Sequence, residues 1–211
     1  TVSHDSHNLT IVYDYAEING GAAKVAIQSA IALAKMDYQV YFFAASGPVN
    51  QELQNSSVSV ICLWIDDINH GSKLKAIKKG IWNKKAGNKF RDFLNQFSPI
   101  DTVIHIHGWV KALSSSIVKA AHKFPIIVTL HDYFAVCPNG GFYNYRKQKI
   151  CTKKPMSPEC IFCNCDKRSF IQKSWRVIRQ IVQDKSIRKN KNIIYISISQ
   201  KIEDIIKYAF L

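Results

Sequence analysis

Three short stretches of this chain carry groups suited to chemistry on a bound molecule. Thr129-Leu130-His131-Asp132-Tyr133 places an imidazole directly after the apolar run that ends at Leu130. His131 can donate there to oxygens of a substrate, and Asp132 can set its tautomer or charge. His105-Ile106-His107-Gly108 puts two more imidazoles at the end of another apolar run. Strand alternation is read as sending these two to opposite faces, which leaves His107, the later one, for a shared site. A ring satisfied by local backbone is the competing assignment. Asn19-Gly20-Gly21 leads into a helix rich in small residues, where close backbone approach and unpaired N–H groups favour a phosphate or carboxylate. A Gly-rich turn without a ligand is the alternative. The stretch is not a G-x-G-x-x-G fingerprint and no ribose-binding acid follows the second strand, which argues against a dinucleotide dehydrogenase.

The cysteines form a separate group. Cys62 falls in an apolar run and reads as a small buried side chain, whereas Cys137, Cys151, Cys160, Cys163 and Cys165 crowd into one long loop. Cys160-Ile161-Phe162-Cys163 has the two-residue spacing that lets two thiolates share one tetrahedral zinc, and cysteines upstream can complete four sulfur ligands. Cys137, Cys151, Cys160 and Cys163 are the favoured set, with Cys165 the rival. A disulfide, an iron-sulfur cluster and unligated thiols are the alternatives, the first opposed by a reducing cytoplasm. A structural metal would order a loop that buries too little apolar surface to order itself.

The elements that must position these groups alternate. Leu9 to Tyr13, Gln39 to Ala44, Val58 to Trp64, Thr102 to Ile106, Pro125 to Leu130 and Ile193 to Ser197 read as short buried strands. Helices are expected over Ala22 to Met36, Lys73 to Phe97, Val110 to Lys123, Ser169 to Lys189 and Gln200 to Tyr208. The second has Leu74, Ile77, Ile81, Phe90, Phe93, Leu94 and Phe97 three or four apart, with lysines outward. The apolar positions of the helix from Ser169 are Phe170, Ile171, Trp175, Ile178, Ile181 and Val182. Asp132 to Asp166 is expected to be irregular. Such alternation implies an α/β fold, a Rossmann-like parallel sheet with helices on both faces, and ligands beyond the carboxyl ends of its strands.

Composition sets the outer limits. The 211 residues, 47% hydrophobic, suit one domain, residues 1–211, with a Cys-rich insertion at about 132–168. No run of 18 apolar residues is present, and Thr1 to Asn8 is polar without a signal-peptide core, so a cytoplasmic location is expected. The missing initiator methionine leaves Thr1 open as the natural start. The net charge of +14 sits in two stretches. Residues 73 to 91 carry eight Lys and Arg with no acid, and residues 145 to 191 carry fourteen against Glu159, Asp166 and Asp184. Such patches attract anionic lipid, nucleic acid or phosphorylated substrate. No zinc-finger, RNA-recognition or helix-turn-helix pattern is present, so nucleic acid is not the expected partner. Peripheral association with the inner face of an anionic membrane is, and oligomeric state is left open.

The order Tyr13-Asp14, Gly20-Gly21-Ala22, His105-Ile106-His107-Gly108, Thr129-Leu130-His131-Asp132-Tyr133 and Cys137-Pro138-Asn139-Gly140-Gly141 resembles glycosyltransferase family 4. The closer resemblance is to bacterial enzymes of surface-polysaccharide synthesis in the cell envelope. It implies the N-terminal, acceptor-side half of a GT-B fold and a retaining, hexosyltransferase-type transfer from a nucleotide-sugar donor to a glycan or lipid-linked acceptor. It also implies that Gly20 and Gly21 face the donor phosphates, that His131 is the catalytic histidine near the transferred sugar, and that His107, Asp132 and Tyr133 line the substrate side. The paired glutamates that grip the donor in the family belong to a C-terminal domain absent from this sequence, so the chain alone is expected to be inactive. The other class of function is a non-catalytic basic domain that binds membrane or nucleic acid.

Overall fold

The protein, as a computed structural model, is described over residues 7–65, 73–188, 190 and 192–210. Positions 1–6 of the polar start, Lys189 and Lys191 of the second basic stretch, and the side chains of residues 73–76, 188 and 210, Leu74 among them, lie outside the described residues. Six strands form one parallel sheet: β1 (Asn8–Tyr15), β2 (Gln39–Ser46), β3 (Ser59–Cys62), β4 (Thr102–Ile106), β5 (Ile126–Leu130) and β8 (Ile193–Ser197). Hydrogen-bonded neighbours run β3-β2-β1-β4-β5-β8. The direction of winding reverses between β1 and β4, and a crevice forms at the carboxyl ends of strands at such a reversal.

Adjacent residues of each strand feed opposite layers. Ile11 and Phe42 pack on one face with Ala26, Ile27 and Ala30 of α1 (Gly21–Ala34), while Val12 and Phe43 pack on the other with Phe90, Ile104 and Ile117. The fully buried alanines of α1 let its backbone approach the sheet closely. Each wholly buried phenylalanine contributes about 1.5–3 kcal/mol of apolar transfer free energy. The expected parallel α/β architecture is therefore observed.

Two expected helices are corrected. The one over Lys73 to Phe97 is split into α3 (Lys73–Ile81) and α4 (Lys84–Leu94). Asn83, 2% exposed, is the break: its Oδ1 accepts from the amide of Ala86 at 3.1 Å, its own amide donates to Ser114 Oγ at 2.8 Å, and its Nδ2 donates to the carbonyl of Ala112 at 2.6 Å. A side chain that caps a helix start offers the backbone an alternative to continuing the previous turn. The helix expected over Val110 to Lys123 shrinks to α5 (Ser116–Ala120). Asp14, buried at the end of β1, accepts the amides of Lys111, Ala112 and Leu113 at 2.9, 2.8 and 2.9 Å, and so holds that segment as a turn.

The stretch over 132–166 is less irregular than expected. It contains the antiparallel pair β6 (Tyr143–Asn144) and β7 (Lys149–Ile150) and the short α6 (Pro158–Ile161); α2 (Gln51–Gln54) and α8 (Gln200–Phe210) complete the fold. The long α7 (Phe170–Arg188) departs from the usual amphipathic pattern. Phe170, Ile171, Ile178 and Ile181 are exposed, Ile171 at 82%, whereas Lys173, Gln180 and Gln183 are buried. The inward polar groups answer backbone carbonyls that no sheet ladder satisfies: Gln180 Nε2 donates to Ala135 O at 3.0 Å, Gln183 Nε2 to Phe134 O at 2.8 Å and Arg179 to Pro138 O at 3.0 Å.

Asp14→Ala removes an ionised acceptor from three buried amides at once. It should lower stability by about 3 kcal/mol and the Tm by on the order of 5–10 °C in thermal melts, with Asp14→Asn falling between. An unchanged Tm for Asp14→Ala would show that those amides find other acceptors.

Candidate functional site

The carboxyl ends of β1, β4 and β5 and the start of α1 surround one cleft of about 90 Å³, lined by Tyr13, Asp14, Ala22, His107, His131 and Asp132 among others. The turn fixed by Asp14 supplies one wall, through Gly108 to Lys111. Gly108 is required there, because a Cβ would stand 2.8 Å from the Tyr13 ring. The opposite wall is Phe134 and Ala135, held from behind by Gln180 and Gln183. Gln183 also accepts from Trp109 Nε1 at 2.9 Å, so one side chain of α7 ties both walls together. Gly140, at φ +72°, lets the chain fold back under Phe134, whose ring a Cβ at this position would strike.

The three histidines stack in a row. The rings of His105 and His107 lie 4.2 Å apart between centroids, and those of His107 and His131 5.2 Å apart. The expected divergence of His105 and His107 is thus corrected, since residues two apart on a strand share a face. His105 Nε2 meets Thr129 Oγ1 at 2.8 Å, and His107 Nδ1 meets His131 Nε2 at 3.0 Å. The partner of His131 is therefore His107. Asp132, expected to set the tautomer, instead accepts the amide of Phe134 through Oδ1 at 2.8 Å.

The row is neutral near pH 7. Burial, helped by His105 and His131, pushes His107 down to about 3, and burial with His131 pushes His105 down to about 4. Burial lowers His131 too. His107 Nε2 is buried with no partner among the described residues. A bare nitrogen is tolerated there better than an orphaned N–H. The proton of His107 thus sits on Nδ1 and is donated to His131 Nε2, which leaves His131 with its own proton on Nδ1. Beside it, burial and then Asp14 and Asp132 push the Tyr13 hydroxyl up to about 12.

The remaining expected residues divide. Gly20 and Gly21 are exposed, with open space around both, immediately before Ala22 of the cleft. Tyr133 does not line the cleft; its ring packs against Phe142 and the main core. Asp14 and Gln183, which shape both walls, were missed as site residues. Asp14 had a signal, a lone acid at the end of an otherwise apolar run, whereas Gln183 had none. Cys160, Cys163 and Cys165 lie along one turn, while Cys151 has no hydrogen-bonded sulfur among the described residues. Among the described residues no group of three or more His, Cys, Asp or Glu side chains is set to hold a metal ion.

The histidine row makes a pH prediction. The fold refuses protons that the unfolded chain binds below pH 6.5, so stability present above that value is lost as pH falls from 6.5 toward 3. By pH 5 His107 alone should account for about 2 kcal/mol. Melts at pH 7.5 and 5.0 should show a falling Tm, less so in His107→Gln; equal falls in both would remove His107 as the cause.

The sequence profile of the family described as Glycosyltransferase Family 4 matches residues 19–179, about three quarters of the chain. No curated protein matches it.

Proposed function

We propose, from the premise that the chain belongs to glycosyltransferase family 4, that it is the acceptor-side part of a retaining enzyme that moves a hexose from a nucleotide-sugar donor to a glycan or lipid-linked acceptor in bacterial surface-polysaccharide synthesis. The observation that carries this reading is the cleft at the sheet's winding reversal. It joins an oriented His131 to the open Gly20-Gly21 corner at the start of α1.

A retaining transfer builds positive charge on the sugar ring and negative charge on the leaving diphosphate. The amides at the start of α1, which no side chain caps among the described residues, suit the diphosphate, and glycines there leave room for its approach. His131, neutral and oriented by His107, presents Nδ1–H to a hydroxyl or ring oxygen of the sugar or acceptor. Asp132, open to solvent at the rim, accepts from a hydroxyl on the same molecule. Tyr133 acts behind the wall by packing rather than by contact. The donor's remaining grip would come from a second domain, so the test uses the protein carrying both.

His131→Ala should cut turnover roughly 10²-fold or more in an assay with a panel of nucleotide sugars. Its Tm should stay within a few degrees of wild type, since only the bond to His107 is lost. Wild-type turnover would return His131 to a structural role, and lost folding would do the same.

Peripheral binding to anionic membrane fits this reading. The two basic stretches meet, because α3 packs on α7 and Trp175 Nε1 donates to Ile77 O at 3.1 Å. The outward isoleucines of α7 supply apolar groups beside that charge. Co-sedimentation with anionic vesicles should weaken with salt and fall on the order of tenfold in the Ile171→Asp, Ile178→Asp double variant. Equal binding to neutral vesicles would remove the electrostatic account, and tighter binding to RNA would favour the non-catalytic alternative.

A further inference from the structure

A second concentration of chemistry lies outside the cleft, between β5 and α7. From 132 to 169 the buried apolar residues other than cysteines are Ala135, Val136, Pro138 and Phe142, too few to order a segment of that length by burial. What its interior holds is sulfur and N–H. Lys173, on α7 and fully buried, places Nζ 3.8 Å from Cys160 Sγ. Asn139 Nδ2 donates to Cys165 Sγ at 3.1 Å, and Asn144 Nδ2 points at Cys163 Sγ at 3.6 Å. Both asparagines are buried. Cys137 is buried in the same segment.

These contacts are more than sulfurs that only fill space would call for. A thiol sulfur is a weak acceptor, yet three separate nitrogens spend N–H groups on three different sulfurs. Among the described residues Lys173 pairs with no carboxylate, Asp166 being engaged with Arg176, and its buried Nζ faces sulfur instead. The turn is built for chelation: Ser157 caps α6 by accepting from the amide of Cys160, Cys163 N donates to Cys160 O, and Cys165 N donates to Cys163 O, so three sulfurs leave one tight turn.

We propose that Cys160, Cys163 and Cys165, with Cys137 as fourth ligand, bind one divalent thiophilic cation of the zinc class, and that Lys173, Asn139 and Asn144 hold its sulfurs from outside. Cys165 thus takes the place expected for Cys151. Among the described residues no three of these side chains are yet set around one point, so the site completes only on binding. It releases one proton from each thiol that becomes a ligand. The donors around the sulfurs orient them and spread the charge of the metal-thiolate unit, the usual task of the groups that surround metal ligands. The site is independent of sugar transfer.

The probe is Co(II), titrated under reducing conditions into chelator-stripped protein. The expected result is a sulfur-to-cobalt charge-transfer band with tetrahedral visible absorption, saturating at about one Co(II) per chain and displaced by Zn(II). Cys165→Ser should weaken or abolish the band, and Cys151→Ser and Cys62→Ser should leave it intact. Lys173→Met should keep the stoichiometry but weaken affinity about tenfold or more. No charge-transfer band in the wild-type protein overturns the proposal. A band lost in Cys151→Ser but kept in Cys165→Ser overturns the ligand set. Because the wild-type titration and the Cys151→Ser comparison do not need the buried variants to fold, the result stands even where Lys173→Met does not.

Discussion

The carboxylate of Asp14 fixes the distance between the ends of the two central strands. It stands one residue from the end of β1, takes three successive amides of the segment after β4, and does so while buried. Hydrogen bonds to an ionised acceptor in a buried setting are among the stronger ones a protein makes. Here they commit three consecutive backbone donors to a single side chain. The segment that follows β4 therefore turns across the crevice instead of rising as a helix, and Gly108, Trp109 and the Tyr13 ring take their places from that turn. The histidine row depends on it in turn, since His107 is the first residue beyond β4, and its amide donates to Val12 O at 2.9 Å.

The far wall of the cleft is held by a different device. A helix that packs by apolar contact alone could not satisfy the carbonyls of Phe134, Ala135 and Pro138, so α7 turns two glutamines and an arginine inward. The Arg179 guanidinium lies 5.0 Å from the centre of the Phe134 ring and 5.5 Å from that of Trp175, so its charge is dispersed over two π faces as it is buried. Burial brings it down to about 10 even so. The isoleucines displaced to the outside are the counterpart of that arrangement.

The layered fold was legible because strands and helices obey short periods. Runs such as Leu9 to Tyr13 and Pro125 to Leu130 announce buried parallel strands by composition, and Ala-rich α1 announces close packing. The helix boundaries were not, because Asn83 and Asp14 act through bonds to residues about thirty and a hundred positions away. Periodicity also misled at α7: its apolar residues recur at helical spacing, yet the demand of an irregular neighbour for donors decided which side went in. In the site, the strand-end histidines were visible by type and place. Their mutual bonding was not, since His107 and His131 follow different strands and only the parallel register of β4 and β5 sets them side by side.

The position of the cysteine-rich segment bears on how the chain assembles during synthesis. β5 and β8 are hydrogen-bonded neighbours, Ile126 beside Ile193, but the whole of that segment and α7 lie between them in the chain. The sheet's last strand can join only after this long excursion has returned, and such distant pairings form slowly because the closure entropy falls due before any contact is made. The first five strands can form from residues emerging earlier, leaving the outer edge of β5 uncovered in the interim. That edge is closed by β8, so the completeness of the sheet hangs on a return from a segment that contributes no strand to it.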